Sequence, residues 1–234
     1  GDYNIAIGSY AGDAITTGDK NVLAGHQAGT ELLAGGNNVL LGYQTGDSLI
    51  NASSSVAIGS YALSTEDVSA GNVAIGYQAL QDQNVDNANN VAVGYQSALN
   101  LTSGTNSVYM GYLAGGAGVI TGDYNTVVGK QAGEDLTGGY SNVLMGYRAG
   151  LNGTDFNQNV AIGVNAMGLG VATGNSNVVI GNEAGYDLTS GHSNVLIGRD
   201  AGANITTAQN NTVIGKGAWA TGVGVASGGA AGQY

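Results

Sequence analysis

The chain has 234 residues, 43 of them glycine, with no proline, no cysteine and a formal net charge of −11. Collagen requires glycine at every third place and abundant proline, and thiolate or Cys-zinc chemistry requires cysteine, so these classes are excluded. Five Lys and Arg against 16 Asp and Glu argue against a phosphate-backbone partner, which needs a basic face.

In chain order, one phrase close to Asn-Val-Ala-Ile-Gly-Tyr-Gln-Ala-Gly recurs thirteen times, each copy falling seventeen or eighteen positions after the last. Its anchoring glycines are Gly8, Gly25, Gly42, Gly59, Gly76, Gly94, Gly111, Gly129, Gly146, Gly163, Gly181, Gly198 and Gly215. A fixed short period means that no unit buries its own apolar face, so each must stack on the next. The spacing therefore predicts an all-β parallel solenoid of about thirteen coils over residues 1–219, followed by a decayed Gly/Ala-rich repeat or cap at 220–234. The single tryptophan, Trp219, is placed to plug that end.

With the anchor glycine as position zero, Asn stands at −4 in eleven repeats and Val at −3 in ten. Position −1 is always apolar, +3 is Ala in eleven repeats, and Leu or Ile recurs at +7, as in Leu32, Leu49, Leu101, Leu136 and Leu188. β-Branched residues at −3 and −1 favour a strand, and glycines at 0 and often +4 mark bends. Each coil is expected to hold two or three short strands of about four or five residues joined by tight turns. The Asn column is expected to be structural, its stacked amides bonding along the ladder and satisfying turn backbone.

Position −2 is apolar or aromatic in every repeat. A strand apolar on both faces is buried on both. With −3 and −1 sharing the thin interior, the −2 column would face outward as an unpartnered stripe. Leu23, Leu40, Tyr109, Val127, Leu144, Val179, Leu196 and Val213 are thus expected to form a seam between copies of the chain, most simply with cyclic symmetry.

Asn-Val-Ala-Ile-Gly at 72–76 and 159–163 and Ser-Val-Ala-Ile-Gly at 55–59 resemble the head repeats of trimeric autotransporter adhesins. The longer phrases Gly-Tyr-Gln-Ala-Leu at 76–80 and Gly-Tyr-Arg-Ala-Gly at 146–150 also resemble repeats of phage tail fibres and related surface fibres. The resemblance implies a left-handed β-roll in which three chains bundle through their strands. It further implies a fibre outside the cell, on a bacterial surface or a virion, whose partners are copies of itself and a host-surface protein or glycan. The period is longer than is usual for those adhesin heads, so the coil must carry larger turns.

Composition agrees with an extracellular setting: charged residues make up only 9% of the chain, which is rich in Asn, Ser, Thr and Tyr. No run of 18 apolar residues occurs, so no membrane-spanning helix is predicted. Gly1-Asp2-Tyr3-Asn4 repeats as Gly122-Asp123-Tyr124-Asn125, so the chain opens in register and is expected to be a processed or excised segment of something longer.

Catalytic signals are weak. His26 and His192 fall ten coils apart, too far to share a site in one solenoid. The aliphatic hexapeptide pattern of left-handed β-helix acyltransferases is absent. Glu183 and Asp200 share +2 in adjacent coils, and Asp13, Glu31 and Asp47 form a loose acidic column. Both groups read as solvated turn residues; the expectation is no enzyme and no cofactor, with a weak Ca2+ site as the one cation reading oxygen-rich turns allow. Asn-x-Ser/Thr sequons occur at Asn51, Asn100, Asn152, Asn204 and Asn210, weak evidence in a chain so rich in Asn and Thr.

The candidate contact surface is the tyrosine column at +1: Tyr43, Tyr77, Tyr95, Tyr112 and Tyr147, with Tyr10 and Tyr61 at +2. Such rings can stack on sugars, grip a protein surface or merely cover the sheet edge. An adhesive fibre segment is therefore expected, with a purely structural filament subunit as the alternative. An ice-binding solenoid ranks lower, because Thr at +8 is interrupted: only Thr16, Thr102, Thr137, Thr154, Thr189 and Thr206 occupy it.

Overall fold

A computed structural model describes residues 1–65, 70–85 and 88–220. Two compact units divide the chain, Gly1–Thr121 and Gly122–Tyr234. Each is a stack of coils with one three-residue strand per repeat, and no helix occurs among the described residues.

The first unit holds β1 (Ile5–Ile7), β2 (Val22–Ala24), β3 (Val39–Leu41), β4 (Val56–Ile58), β5 (Val73–Ile75), β6 (Val91–Val93) and β7 (Val108–Met110). The second holds β8 (Thr126–Val128), β9 (Val143–Met145), β10 (Val160–Ile162), β11 (Val178–Ile180), β12 (Val195–Ile197) and β13 (Thr212–Ile214). Within each unit, strands pair in parallel and in chain order, and equal repeat positions face each other, as in Val39↔Val56 and Leu40↔Ala57. This is the all-β parallel solenoid that the period predicts, with a one-coil register in which a one-residue slip would turn the buried −4 Asn and −2 side chains outward.

The coil differs from the expectation of two or three strands. It has one, and the rest of each turn runs as irregular backbone bonded to the next coil, apart from an isolated parallel bridge between Leu101 and Ile120. Repeated positive-φ residues are the reason. The chain enters the left-handed region at −5, +2 and +4 of almost every coil, as at Ser141, Arg148 and Gly150, and three such reversals in so short a coil leave no room for a second long strand.

At the anchor, Gly94 has a φ of 137°, and a Cβ there would lie 2.4 Å from the carbonyl oxygen of Gly111 in the next coil. Only glycine permits this approach of two backbones. Its N–H donates to Ile75 O at 2.8 Å, continuing the ladder one residue beyond the strand.

The core is a thin column of −4, −2, +3 and +7 side chains. The seam assignment made from the sequence is therefore overturned. Leu23, Leu40, Tyr109, Val127, Leu144, Val179 and Leu196 have no exposed surface, and Val213 has 2%. A side chain enclosed by its own coil cannot form an inter-chain seam. The outward face is instead made by −3 and −1, half-buried in most strands and exposed at Ile58, Met110 and Met145 and in the end strands β1 and β13. Because both faces of the strand are apolar, period-two alternation alone carried no information on which one points inward.

What fixes the inward face is a volume exchange between −2 and +4. Where +4 is Leu or Met, −2 is alanine: Ala57 with Leu63, Ala74 with Leu80 and Ala161 with Met167, all fully buried; Ala92 instead faces Ala98, and Ala6 of the first coil faces Gly12. Where −2 is large, +4 is glycine, as in Leu23 with Gly29, Leu40 with Gly46 and Leu144 with Gly150. A Cβ on Gly46 would meet Leu40 Cδ1 at 3.1 Å, so the two positions fill one space.

The Asn column behaves as predicted. Asn142 Nδ2 donates to Phe156 O at 2.8 Å and to Asn125 Oδ1 at 3.0 Å, while its Oδ1 accepts the Asn159 N–H at 3.0 Å. Each buried amide thus closes one turn and braces the next coil, which satisfies polar groups that would otherwise be costly to bury. At Ser55 the hydroxyl replaces the amide and accepts the Asn72 N–H at 3.3 Å. Trp219 stands at +4 of the last described coil, half-buried. The decayed repeat expected at 220–234 lies, beyond Ala220, outside the described residues.

Candidate functional site

The strand ends at the anchor glycine, and the chain then turns sharply so that +1 projects from the corner of the coil. Stacking places successive +1 residues one strand spacing apart, about 4.8 Å. In the first unit the corner is a continuous row of rings: Tyr10, His26, Tyr43, Tyr61, Tyr77, Tyr95 and Tyr112, with neighbouring centroids 5.2–6.0 Å apart. Three of the predicted contact tyrosines, Tyr77, Tyr95 and Tyr112, form an unbroken parallel stack, with planes within 18° and 12°. His26 and Tyr43 form a second, at 5.4 Å and 12°. Tyr61 separates the two stacks, its ring turned 77° and 88° from its neighbours. It stands at +2 because Ser60 occupies +1.

Stacking decides what the row can present. Tyr95 has a ring against each of its faces, yet 45% of its surface is exposed. That exposure lies at the ring edge and the hydroxyl. The row is therefore a ridge of phenol O–H groups and electropositive ring edges, with no open platform on Tyr95 for a sugar to stack upon. His26, which the sequence reading did not group with the tyrosines, is part of this ridge. Its signal was its +1 position.

Beside the two stacks run two amide pairs at +2. Gln44 Nε2 donates to Gln27 Oε1 at 3.1 Å, and Gln96 Nε2 donates to Gln78 Oε1 at 2.7 Å. The Tyr61 phenol is held above its usual range, first by desolvation and then by Tyr43 beside it.

The same corner in the second unit has another character. Tyr147 lies beneath Arg148, with Cζ 5.1 Å from the ring centroid, and 6.0 Å from Lys130 Nζ. Lys130, Arg148, Arg199 and Lys216 all occupy +1 or +2, so four of the five Lys and Arg of the chain sit at these two positions. Arg199 Nε pairs with Asp200 Oδ2 at 3.1 Å on an exposed surface, which ties up one member of the Glu183–Asp200 pair. An exposed ion pair of this kind contributes little to stability.

The acidic column of the first unit does not converge. Desolvation pushes the Asp47 carboxyl above the ordinary value, the charge of Glu31 adds to this, and backbone hydrogen bonds oppose it; desolvation also raises Asp82. Among the described residues no three His, Asp or Glu side chains are arranged to hold a metal ion. An open depression of about 240 Å3 in the second unit is lined by hydroxyl and amide groups of Thr173, Asn175, Ser176, Ser190 and Ser193 with His192, whose Nδ1 is 3.3 Å from Ser193 Oγ.

Three of the Thr residues at +8, Thr16, Thr102 and Thr189, donate their hydroxyls to the backbone of the next coil, while Thr137 donates to Asp155 Oδ1 at 2.8 Å. Thr16 Oγ1 donates to Leu33 O at 2.9 Å and Thr189 Oγ1 to Thr206 O at 3.0 Å. These hydroxyls are committed to the next coil. Comparison with protein-family models, curated proteins and solved structures gives no match for this chain. No described helix is long and apolar enough to cross a membrane.

Proposed function

We propose that this chain is a segment of a surface fibre, outside the cell or on a virion, that associates with copies of itself through its strands and displays its corners for adhesion. One observation carries the reading. In a protein of net charge −11, positions −3 and −1 hold no charged residue in any of the thirteen strands. Depletion of charge marks the core of protein interfaces. The face also has a fixed pitch of one ridge per coil, and a surface of matching pitch is another copy of the same solenoid, as cyclic assembly requires. The trimer implied by the adhesin resemblance is the expected state.

In this assembly the +1/+2 corners stay outside and supply many weak contacts at once, which multiply into avidity. No catalytic step is assigned to the chain. Ser193 and His192 are neighbours on an exposed turn, and Asp200 is engaged by Arg199, so neither pair has the buried, oriented partner that nucleophilic or acid–base catalysis uses.

Light scattering after size exclusion tests the association. The expected mass is three times the 23.1 kDa chain, falling to one chain in an Ile58→Lys/Met110→Lys variant with unchanged circular dichroism. A monomeric wild-type chain at micromolar concentration overturns the fibre assembly.

A second reading, an inert filament subunit, is favoured by one fact: Tyr95 spends both faces, and Tyr77 and Tyr112 one face each, on the stack itself. A solid-phase screen against matrix proteins and glycans separates the two, since the inert subunit binds none.

A further inference from the structure

The first unit's corner can be assigned a class of partner, an inference that rests on the adhesive part of the proposed function. We infer that the row Tyr77, Tyr95 and Tyr112, with Gln78 and Gln96 beside it, is a binding ridge for a neutral, extended polysaccharide lying along the coil stack.

Charge sets the first limit. Residues 1–121 contain nine Asp and Glu (Asp2, Asp13, Asp19, Glu31, Asp47, Glu66, Asp67, Asp82, Asp86) against Lys20 alone, a formal −8. A sulfated, phosphorylated or otherwise anionic polymer is repelled by such a surface and finds no guanidinium or ammonium group in the row to pair with. A strongly cationic partner would instead favour the acidic positions, which stand at other places in the repeat.

Chemistry sets the second. The ridge offers phenol O–H groups, which both donate and accept, and planar amides whose mutual bond leaves Gln78 Nε2 and Gln96 Oε1 outside it. A mixed set of donors and acceptors matches a chain of hydroxyl groups, which also do both. A peptide backbone is served better by a free strand edge than by a ridge of edges and hydroxyls.

Geometry sets the third. The stacked centroids advance by 5.2 and 5.4 Å, so identical groups repeat at a pitch close to the advance per sugar of an extended β-linked pyranose chain. Three successive rings thus meet three successive sugars, which turn alternate edges to the ridge, and each edge carries hydroxyl groups within the chemistry of a phenol. Because both faces of Tyr95 are covered, its contacts run through the hydroxyl and the ring edge, and the hydroxyl matters as much as the ring. Stacked phenols already hold their orientation, so little side-chain entropy remains to be lost on binding.

Co-sedimentation of the full chain with insoluble cellulose and with chitin, using heparin–agarose as the anionic control, tests the inference. The wild-type chain is expected to bind at least one neutral polymer, with little response to salt, and to ignore heparin. Tyr77→Ser/Tyr95→Ser should lose binding by tenfold or more; position +1 already accepts Ser9 and Ser60, so the fold should persist, as circular dichroism would verify. Tyr77→Phe/Tyr95→Phe, which keeps the stack, should lose binding severalfold. Binding to neither neutral polymer, binding untouched by the Ser pair, or binding untouched by the Phe pair overturns the inference. A chain that self-associates and captures a matrix protein through the same tyrosines, yet binds neither polymer, refutes the glycan and leaves the fibre standing. A monomer that binds cellulose or chitin through the row does the reverse.

Discussion

The ring of Tyr109 occupies the space above Gly115: a Cβ at Gly115 would come within 2.6 Å of both Cδ1 and Cε1 of that ring. The same coil brings −2 and +4 together, so the largest core side chain lies over a residue with none. Gly115→Ala adds a methyl group where the ring already sits, at a φ of 57°. It is expected to cost about 2–4 kcal/mol by overpacking and left-handed strain, read as a lower urea midpoint for the first unit.

Volume exchange between −2 and +4 gives a sharper test. Leu40→Ala should destabilise by about 2–5 kcal/mol. Gly46→Leu alone should also destabilise, because the new side chain meets Leu40. A Cβ on Gly46 also meets Leu49 Cδ1 at 2.6 Å, so Leu49→Gln is added to recreate the arrangement of Ala74 with Leu80, where leucine already adopts φ 50° and Gln83 stands at +7; the triple variant should return to within about 2 kcal/mol of the wild type. A triple variant no more stable than the worst single variant would refute the exchange.

The Asn column predicts a graded series at Asn142. Asn142→Ala strands the Phe156 carbonyl and the Asn159 amide in the core and should cost about 2–5 kcal/mol. Asn142→Ser should recover part of this, since Ser55 shows that a hydroxyl can accept the next coil's N–H. Thermal melting of the three chains would show the order Asn, Ser, Ala; equal values for Ser and Ala would mean that the acceptor role is unimportant.

At the anchor, Gly94→Ala is expected to be among the most damaging single changes, at about 3 kcal/mol or more, because both its φ and its distance to Gly111 O exclude a Cβ. Coils contact only their neighbours, so the damage should be local. Hydrogen exchange should show lost protection in β6 and β7 before β2 and β3.

Asp47 makes a pH prediction. Its folded pKa is raised above the ordinary 3.8, so the folded state holds the proton more tightly than the unfolded chain. The favourable contribution is complete below that unfolded value and is lost as pH rises through the folded one. Asp47→Asn removes the charge beside Glu31 and should raise the melting temperature at pH 7 by a few degrees at most, since the side chain is only half-buried. Below pH 3.8 the difference should vanish. A stabilisation that persists at low pH would point to another cause.

Much of this fold was legible in the sequence. The period fixes the coil because so short a unit cannot bury an apolar face alone. Val at −3 and the anchor glycine fix where the strand runs and ends, and Asn at −4 announces the amide ladder. The tyrosines at +1 were legible as a column for the same reason: equal repeat positions stack.

Tertiary structure alone decided the rest. Leu40 and Ile58 are equally apolar and sit on adjacent positions of the repeat, and composition gives no reason to bury one and expose the other. The choice is made by Gly46, whose missing side chain leaves room for Leu40, and by Asn38, whose amide is anchored inside by the Ala52 carbonyl at 2.7 Å. Asn38 is polar, so it reads as an outward residue until its partner is known. The ring faces of Tyr95 were likewise hidden from the sequence, because whether a ring stacks on its neighbour or lies open depends on side-chain direction at the corner. Repeat period fixes which residues are neighbours; packing in three dimensions fixes which side of each faces inward and what remains for a partner to touch.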